Sequence, residues 1–584
     1  MKDQVFRKRI RIGVALIILV GILFVQKLVM IQLVHGGGYY EDADRQYRSI
    51  GGEDSVRGNI YASTKNGDRV SIATFESGYK VAIIPSKIQD KEALFEALNG
   101  MTPIERDKFI ARASKSEDPY EEILHRIDKE TADRISALDH PAVRVYRQKW
   151  RTYPLGKLAA QTIGFLAFEE DTLRGQYGLE RFYQGTLTRS AKNLYTNFFA
   201  QIFTDVRTLI AGSDIGEADV VTTLEPAVSQ YLHDRIADIR TTWRAEEVGG
   251  IIIRPRTGEI VALDTDPGFD LNEFASVDDS RVYINPLTEH VYEMGSIMKP
   301  VIMAIGLETG VIEPDTLYFD NGVVEVEEYE IYNYDKLGRG WVSMTDIINK
   351  SLNTGMVYLM SLMDKGKVQT YLTAFGLTEK TGIDLPSEAA PLTSNLESTR
   401  EIEYANISFG QGLAVTPLGM VRSLATLANG GYLVHPTILK ELRYVNGARK
   451  EIALTDRVDT EAIISTQTYE EITRMLVSTV DKGLRQDPDP LRGYSIAAKT
   501  GTAQIPNPAT GGYHDDRNLH AFFGYFPAYQ PEFLVFLYVK YPKEVKYSSE
   551  TLTQPFMETA EFLVKYYNIL PDRIEALTGE NALW

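Results

Sequence analysis

The chain has 584 residues, 44% of them apolar and 24% charged, an ordinary globular composition with room for more than one domain. A formal net charge of -18 leaves no basic excess to neutralise phosphates, which argues against nucleic acid as a partner. The lack of cysteine excludes disulfides, thiolate metal sites and cysteine nucleophiles, and the eight histidines (His35, His125, His140, His233, His290, His435, His514, His520) form no close metal-type pair, so no metal is expected.

Residues 12–34 form an apolar run interrupted mainly by Gln26, Lys27 and Gln32. At about 1.5 Å per residue such a helix crosses a bilayer core of about 30 Å. Lys2, Arg7, Lys8, Arg9 and Arg11 precede it, while Glu41, Asp42 and Asp44 follow. The positive-inside rule therefore predicts a cytoplasmic tail (1–11), a single transmembrane anchor (12–34) and an extracytoplasmic remainder. The run exceeds a typical signal-peptide core and no Ala-x-Ala site follows, so the anchor is read as uncleaved; cleavage near Gly36-Gly37-Gly38 is the alternative. Lys27 either snorkels outward or, with Gln26 and Gln32, forms a polar face for a partner's transmembrane helix.

Residues 35–216 carry no catalytic constellation. Val81–Pro85 reads as a strand; Lys87–Asn99 and Glu121–Leu138 have helical spacing. Three short patterns, Arg57-Gly58-Asn59-Ile60-Tyr61, the run Arg151 to Gly156, and Gly175 to Glu180, are turn signals flanked by charge, for which packing or salt bridging is the default expectation. Asn193–Arg207 supplies aromatics for a core or an interface.

Beyond residue 217 the pattern changes. Asp219–Leu224 reads as a strand and Pro226–Trp243 as a helix; Gly249–Ile253 and Glu259–Leu263 flank the turn Arg254-Pro255-Arg256-Thr257-Gly258. His520–Phe526 and Phe533–Tyr541 form a second strand pair. Strands at both ends with long helices between predict an α+β domain, an antiparallel sheet with helices packed on it.

Between those strand groups lies Gly295-Ser296-Ile297-Met298-Lys299-Pro300. At the start of a helix, Ser296 and Lys299 share one face, the arrangement of a nucleophile beside its base. The helix N-terminus favours an anionic oxygen and a neutral lysine. The apolar run that follows, Val301 to Leu307, predicts a buried helix that desolvates Lys299. Ser351-Leu352-Asn353 comes 55 residues after Ser296, in a helical stretch with a polar break; its hydroxyl and amide can relay a proton and hold a substrate amide. Lys499-Thr500-Gly501-Thr502 follows Ile496-Ala497-Ala498 and reads as an edge strand entering the site, with Gly501 allowing close backbone approach. An extended peptide could add to that edge. The acidic segment Pro506–Asn518 reads either as a surface loop or as a gate for the site.

The set Ser-x-x-Lys, Ser-x-Asn and Lys-Thr-Gly resembles penicillin-binding proteins and serine β-lactamases. Arg57-Gly58, the Arg151 to Gly156 pattern, Gly178-Leu179-Glu180 and Ser408-Phe409-Gly410-Gln411-Gly412 with Thr416-Pro417 narrow the resemblance to class B penicillin-binding proteins, from the anchor to about residue 569. Met294 stands where that family often has proline. Asn353 at the end of the second motif, with Ile331-Tyr332-Asn333-Tyr334-Asp335 before it, is more like the division-specific subgroup than the elongation subgroup.

The resemblance implies a non-catalytic pedestal of the dimerisation type (35–216), a transpeptidase domain (217–569) and a tail (570–584) that yields no reading of its own. It implies a peptidoglycan D,D-transpeptidase in the plasma membrane, crosslinking stem peptides through an acyl-serine, active in septal wall synthesis and inhibited by β-lactams. Ser296 would be the nucleophile, Lys299 the base, Ser351 the proton relay, and Asn353 would orient Lys299 and the substrate amide. Lys499, Thr500, Gly501 and Thr502 would bind the substrate's end, and the backbone N–H groups of Ser296 and Thr502 would form the oxyanion hole. No cofactor is implied. A polytopic glycosyltransferase and other division proteins are the implied partners. The competing readings are an elongation-specific transpeptidase, a D,D-carboxypeptidase and a non-catalytic divisome scaffold. A β-lactam sensor is discounted, since eleven residues before the anchor are too few for a signalling domain.

Overall fold

The computed structural model describes residues 56–169, 172–189, 217–507 and 511–573. The predicted cytoplasmic tail and anchor, and Asn193–Arg207, lie outside the described residues. Among the described residues no helix is long and apolar enough to cross a membrane. The chain divides into two compact units: one contains 75–151, the other 57–74, 152–188 and 217–573.

Strands β1 (Ile60–Ser63) and β2 (Arg69–Ile83) open the fold. The first half of β2 pairs with β1 in the larger unit. Its second half belongs to the smaller unit, with helices α1 (Lys91–Asn99) and α2 (Arg106–Ala113), strand β3 (Glu121–Ile127), helix α3 (Lys129–Ser136) and strand β4 (Val143–Thr152). Val81, Ile83, Leu94, Phe95, Leu98, Phe109 and Ile135 make its core. Asp90 caps α1 and Asp128 caps α3 by accepting backbone N–H groups. Glu121–Leu138 is therefore not one helix. Its first half pairs antiparallel with β2, and the Asp128 cap marks where helix begins. Likewise the helix expected from Lys87 starts at Lys91, because Pro85–Lys87 is a 3-10 turn.

In the larger unit, β5 (Ala218–Thr222) and helix α4 (Pro226–Trp243) form as expected. Glu225 caps α4 through Val228 N–H, and Pro226 occupies its first turn. However, β5 does not join the main sheet. It pairs parallel with β1 and antiparallel with the strand Leu439–Tyr444.

The main sheet is built from β6 (Glu247–Ile253), β7 (Ile260–Asp266), β8 (Ala497–Pro506), β9 (Tyr513–Phe526) and β10 (Phe533–Lys540), in the order β7-β6-β10-β9-β8, all antiparallel. Its alternating residues feed two layers. Ile252, Phe522, Val535 and Leu537 pack with α4 and with helix α5 (Ser548–Tyr567). Ile251, Phe523, Leu534 and Phe536 face the opposite layer, which holds the helix Lys299–Glu308. Each such side chain contributes about 1.5–3 kcal/mol of burial.

One further expectation changes here, and one segment without a reading gains a place. Pro506–Asn518 is not a simple surface loop: β8 runs to Pro506 and β9 starts at Tyr513, so the two strands continue as a hairpin arm. The start of the tail is held, since Ser495 N–H donates to Asp572 (2.7 Å) and Arg573 pairs with Asp481 (2.8 Å).

The three turn patterns meet inside the larger unit. Arg57 donates to the Glu180 carboxylate (2.8 Å) and to the Glu180 carbonyl (2.6 Å). The Tyr153 hydroxyl donates to the same carboxylate and accepts from Leu166 N–H (3.0 Å). Glu180 is fully buried, and salt bridging is what the motif does.

Candidate active site

Ser296 sits in a 3-10 turn, Gly295–Met298, that runs directly into the helix Lys299–Glu308. The whole helix is buried up to Leu307, as its apolar run demands. Met294, in place of proline, is itself buried in the core. The turn is held from outside by the Ser408-Phe409-Gly410-Gln411-Gly412 loop, where Gly295 N–H donates to Gly410 O (3.0 Å).

Lys299 is fully buried, and its Nζ points at the second motif. Nζ lies 2.7 Å from Ser351 O, 2.8 Å from Asn353 Oδ1 and 3.3 Å from Ser351 Oγ. From the other side Lys499 Nζ donates to Ser351 Oγ (3.0 Å) and Thr500 O (3.1 Å). One hydroxyl thus lies between two lysines. Among the described residues neither lysine meets a carboxylate. Burial holds Lys299 well below the usual lysine range, and the nearby Lys499 charge lowers it further. Burial brings Lys499 down to about 7.

Ser351 adopts a left-handed backbone (φ 54°) between the helices Met344–Asn349 and Asn353–Ser361. That conformation is costly for a non-glycine residue and persists where surroundings over-determine it. Here they do. Asn353 Nδ2 donates to Tyr332 O (3.0 Å), and Thr354 Oγ1 donates to the buried Asp320 (2.8 Å). Asp320 also accepts from Asn333 Nδ2 (3.0 Å). Sequence reading singled out Asn333 only as part of a pattern; Asp320 and Thr354 carried no local signal.

The third motif lies on edge strand β8. A Cβ added at Gly501 would stand 2.9 Å from Met294 O and from Ile297 Cγ2, so only glycine lets this strand lie against the Gly295–Met298 turn. Gly295 (φ 57°) has Thr502 O equally near, 2.8 Å from where its Cβ would be. The backbones of Ser296 and Thr502 are therefore neighbours. Thr502 Oγ1 accepts from Ser548 N–H (3.2 Å), leaving its hydroxyl hydrogen free to donate.

A cleft of about 1170 Å³ opens onto Ser296, Ser351, Asn353, Lys499, Thr500 and Thr502. Lys299 and Gly501 sit behind this wall. Tyr334, Phe409, Gln411, Asp516 and Tyr547 are also among its lining, and of these only Asp516, in the segment read as a loop or a gate, carries a site role from the sequence. The arm beside the cleft is tied down on both sides: Tyr513 donates to Glu293 Oε1 (3.2 Å), and Tyr541 donates to Asp516 (3.2 Å). Glu293 is pushed above the usual carboxylate range by burial. Among the described residues no cluster of three or more acidic or histidine side chains is placed to hold a metal.

Residues 248–560 match the family of the penicillin binding protein transpeptidase domain, and residues 53–192 match the penicillin-binding protein dimerisation domain. Stage V sporulation protein D of Bacillus subtilis is 27% identical over 495 residues, 84% of this chain and 75% of that protein. Peptidoglycan D,D-transpeptidase FtsI of Escherichia coli K12 is 25% identical over 495 residues, 83% of this chain and 78% of its own. The crystal structure of penicillin binding protein 3 from Mycobacterium tuberculosis with aztreonam shares the fold, with a TM-score of 0.65 at 23% identity over 89% of this chain and 97% of that one.

Proposed function

The chain belongs to the penicillin-binding protein transpeptidase family, and on that premise we propose that it is a serine D,D-transpeptidase that crosslinks peptidoglycan stem peptides in septal wall synthesis and is a target of β-lactams. The observation that carries this reading is the Ser351 hydroxyl held between two buried lysines beside Ser296.

Lys299, neutral because it is buried, takes the Ser296 hydroxyl proton. Ser296 Oγ attacks the carbonyl carbon of the penultimate D-Ala. The oxyanion collects on the backbone N–H groups of Ser296 and Thr502; one such donor is worth about 10²–10³ in rate. Ser351 passes a proton to the departing D-Ala nitrogen, with Lys499 resupplying it, and the peptide C–N bond breaks to leave an acyl ester. Asn353 holds Lys299 and the substrate amide, while Lys499, Thr500 and Thr502 bind the terminal carboxylate. The amine of a second stem peptide then attacks the ester and gives its proton through Ser351 back to Lys499, while Lys299 returns its proton to Ser296 Oγ as the Ser296–acyl bond breaks. A β-lactam enters the same first half and stops at the ester.

We extend the reading to the parts of the chain that bear on placement. Residues 12–34 anchor the protein in the plasma membrane with the N-terminus cytoplasmic, supported by flanking charge. Residues 35–216 serve as the pedestal and 217–569 as the transpeptidase domain. A polytopic glycosyltransferase is the membrane partner that this arrangement suits.

The test is intact-mass spectrometry after incubation with benzylpenicillin. The wild type is expected to gain one adduct per chain and Ser296→Ala none. A folded wild type that gains no adduct would favour a non-catalytic scaffold. Turnover of a stem pentapeptide with and without an added acceptor amine separates the transpeptidase from a D,D-carboxypeptidase.

A further inference from the structure

Of the seventeen large apolar side chains exposed among the described residues, eight fall between Leu317 and Trp341. This segment is two small hairpins, Leu317–Asp320 with Gly340–Ser343, and Val323–Val326 with Tyr329–Tyr332. On the first, Phe319 and Trp341 face each other across the strands, with ring centroids 5.3 Å apart, and are 46% and 68% exposed. On the second, Val323 opposes Tyr332, and Glu325 opposes Glu330. Directly opposed carboxylates repel each other, yet among the described residues neither pairs with a cation. Glu330 instead accepts a hydroxyl, that of Tyr332 (2.6 Å).

The second hairpin is fastened to the cleft, and the first is tied through Asp320 to Thr354, on the helix that begins at Asn353. Ile331, with Val324 and Val326, packs on Val357, Ile402 and Phe409, and Phe409 lines the cleft. Tyr332 O accepts from Asn353, and Tyr334 is part of the cleft wall. A surface beside the cleft that shows exposed rings and exposed carboxylates has the chemistry of a carbohydrate site. Ring faces stack on the C–H faces of a sugar, and carboxylates accept its hydroxyls.

We propose that these hairpins bind the glycan strand to which the stem peptide is attached, a polymer of N-acetylated amino sugars. This inference rests on the transpeptidase reading. The peptide substrate arrives tethered, and an extended peptide spans about 3.5 Å per residue. Its sugar chain therefore has to lie on protein surface a few residues' length from Ser296, where an aromatic platform would hold it and raise the local concentration of the peptide end. A lysine-rich protein segment is the competing occupant of an acidic aromatic face.

The test uses the full chain in detergent micelles, with two substrates and two binding probes. The substrates are uncrosslinked glycan strands bearing stem peptides, and the free stem pentapeptide. The probes are the N-acetylglucosamine hexamer and poly-L-lysine. In the double variant Phe319→Ala, Trp341→Ala the KM for glycan-bearing strands is expected to rise at least about fivefold. Its KM for the free pentapeptide and its acylation by benzylpenicillin stay at wild-type values. Hexamer binding, read by tryptophan fluorescence or calorimetry, is lost in the double variant and restored by Trp341→Tyr on the Phe319 background. An unchanged KM, an equal rise on both substrates, or hexamer binding that survives the double variant would overturn the proposal. So would a hexamer that never binds while poly-L-lysine binds and is released by Glu325→Gln with Glu330→Gln, which would assign the face to a basic protein. Failure of wild-type acylation would defeat the transpeptidase reading instead, and hexamer binding would still report on the hairpins.

Discussion

Two of the places where the larger unit buries charge do so in opposite ways. At Arg57 the guanidinium is matched by the Glu180 carboxylate, and Tyr153 takes up more of that carboxylate's capacity. At the cleft, Lys299 and Lys499 are buried just as deeply, and among the described residues they meet a hydroxyl, an amide oxygen and carbonyls but no carboxylate. A paired buried charge staples structure; its partner is costly to remove because the remaining ion is stranded. Buried cations without a counter-ion are pushed toward the neutral form, which is the state a base needs. The contrast explains why similar turn-and-charge signals in the sequence lead to a scaffold in one case and to chemistry in the other.

The strongest way to break this contrast is at the nucleophile. Ser296→Ala should remove acylation altogether, a loss on the order of 10⁶ in rate, read by the missing mass adduct. Next, Lys299→Met should lower the acylation rate by about 10²–10⁴ while the protein stays folded, since it replaces an unpaired buried cation with an apolar chain. Stopped-flow acylation and thermal melting check the two halves. Glu180→Ala should give the reverse. It costs about 3–5 kcal/mol of stability by stranding Arg57, and the folded fraction should keep wild-type acylation, as chemical denaturation beside mass spectrometry would reveal.

The pH dependence sharpens the comparison further. Burial lowers Lys499 to about 7 from an ordinary 10.5. Between those values the unfolded chain binds a proton that the folded chain does not, so stability rises with pH across that window. Denaturation midpoints should show this rise in the wild type, flattened in Lys499→Met. Acylation should also climb with pH through the range in which Lys299 loses its proton. The smallest effect expected is from Tyr513→Phe, which removes the donor to Glu293 and should cost about 0.5–1.5 kcal/mol, measured as a shift in melting temperature.

Much of this site is legible along the chain because its groups come as short local motifs. Ser296 and Lys299 are one turn apart, Ser351 and Asn353 flank one residue, and Lys499 to Thr502 is a single strand. The hairpin around Arg254–Gly258 and the helix Pro226–Trp243 were equally readable, since turn residues and caps are local. Glu121–Leu138 misled because its apolar spacing suits a helix while pairing with β2 makes its first half a strand. The hairpin arm was hidden for a similar reason: Gly511, Gly512 and acidic residues read as loop, although the two strands pair on either side of them.

Residue type and order alone established which groups could serve as nucleophile, base and relay, and the broad α+β plan, because those depend on side-chain chemistry and short-range spacing. Where those groups meet was settled by packing between segments far apart in the chain. Asp320, Asn333 and Thr354 hold Ser351 in a left-handed turn, and glycine at 501 lets an edge strand lie on the Gly295–Met298 turn. Burial turned two surface-type lysines into low-pKa groups, and burial is a property of the assembled fold.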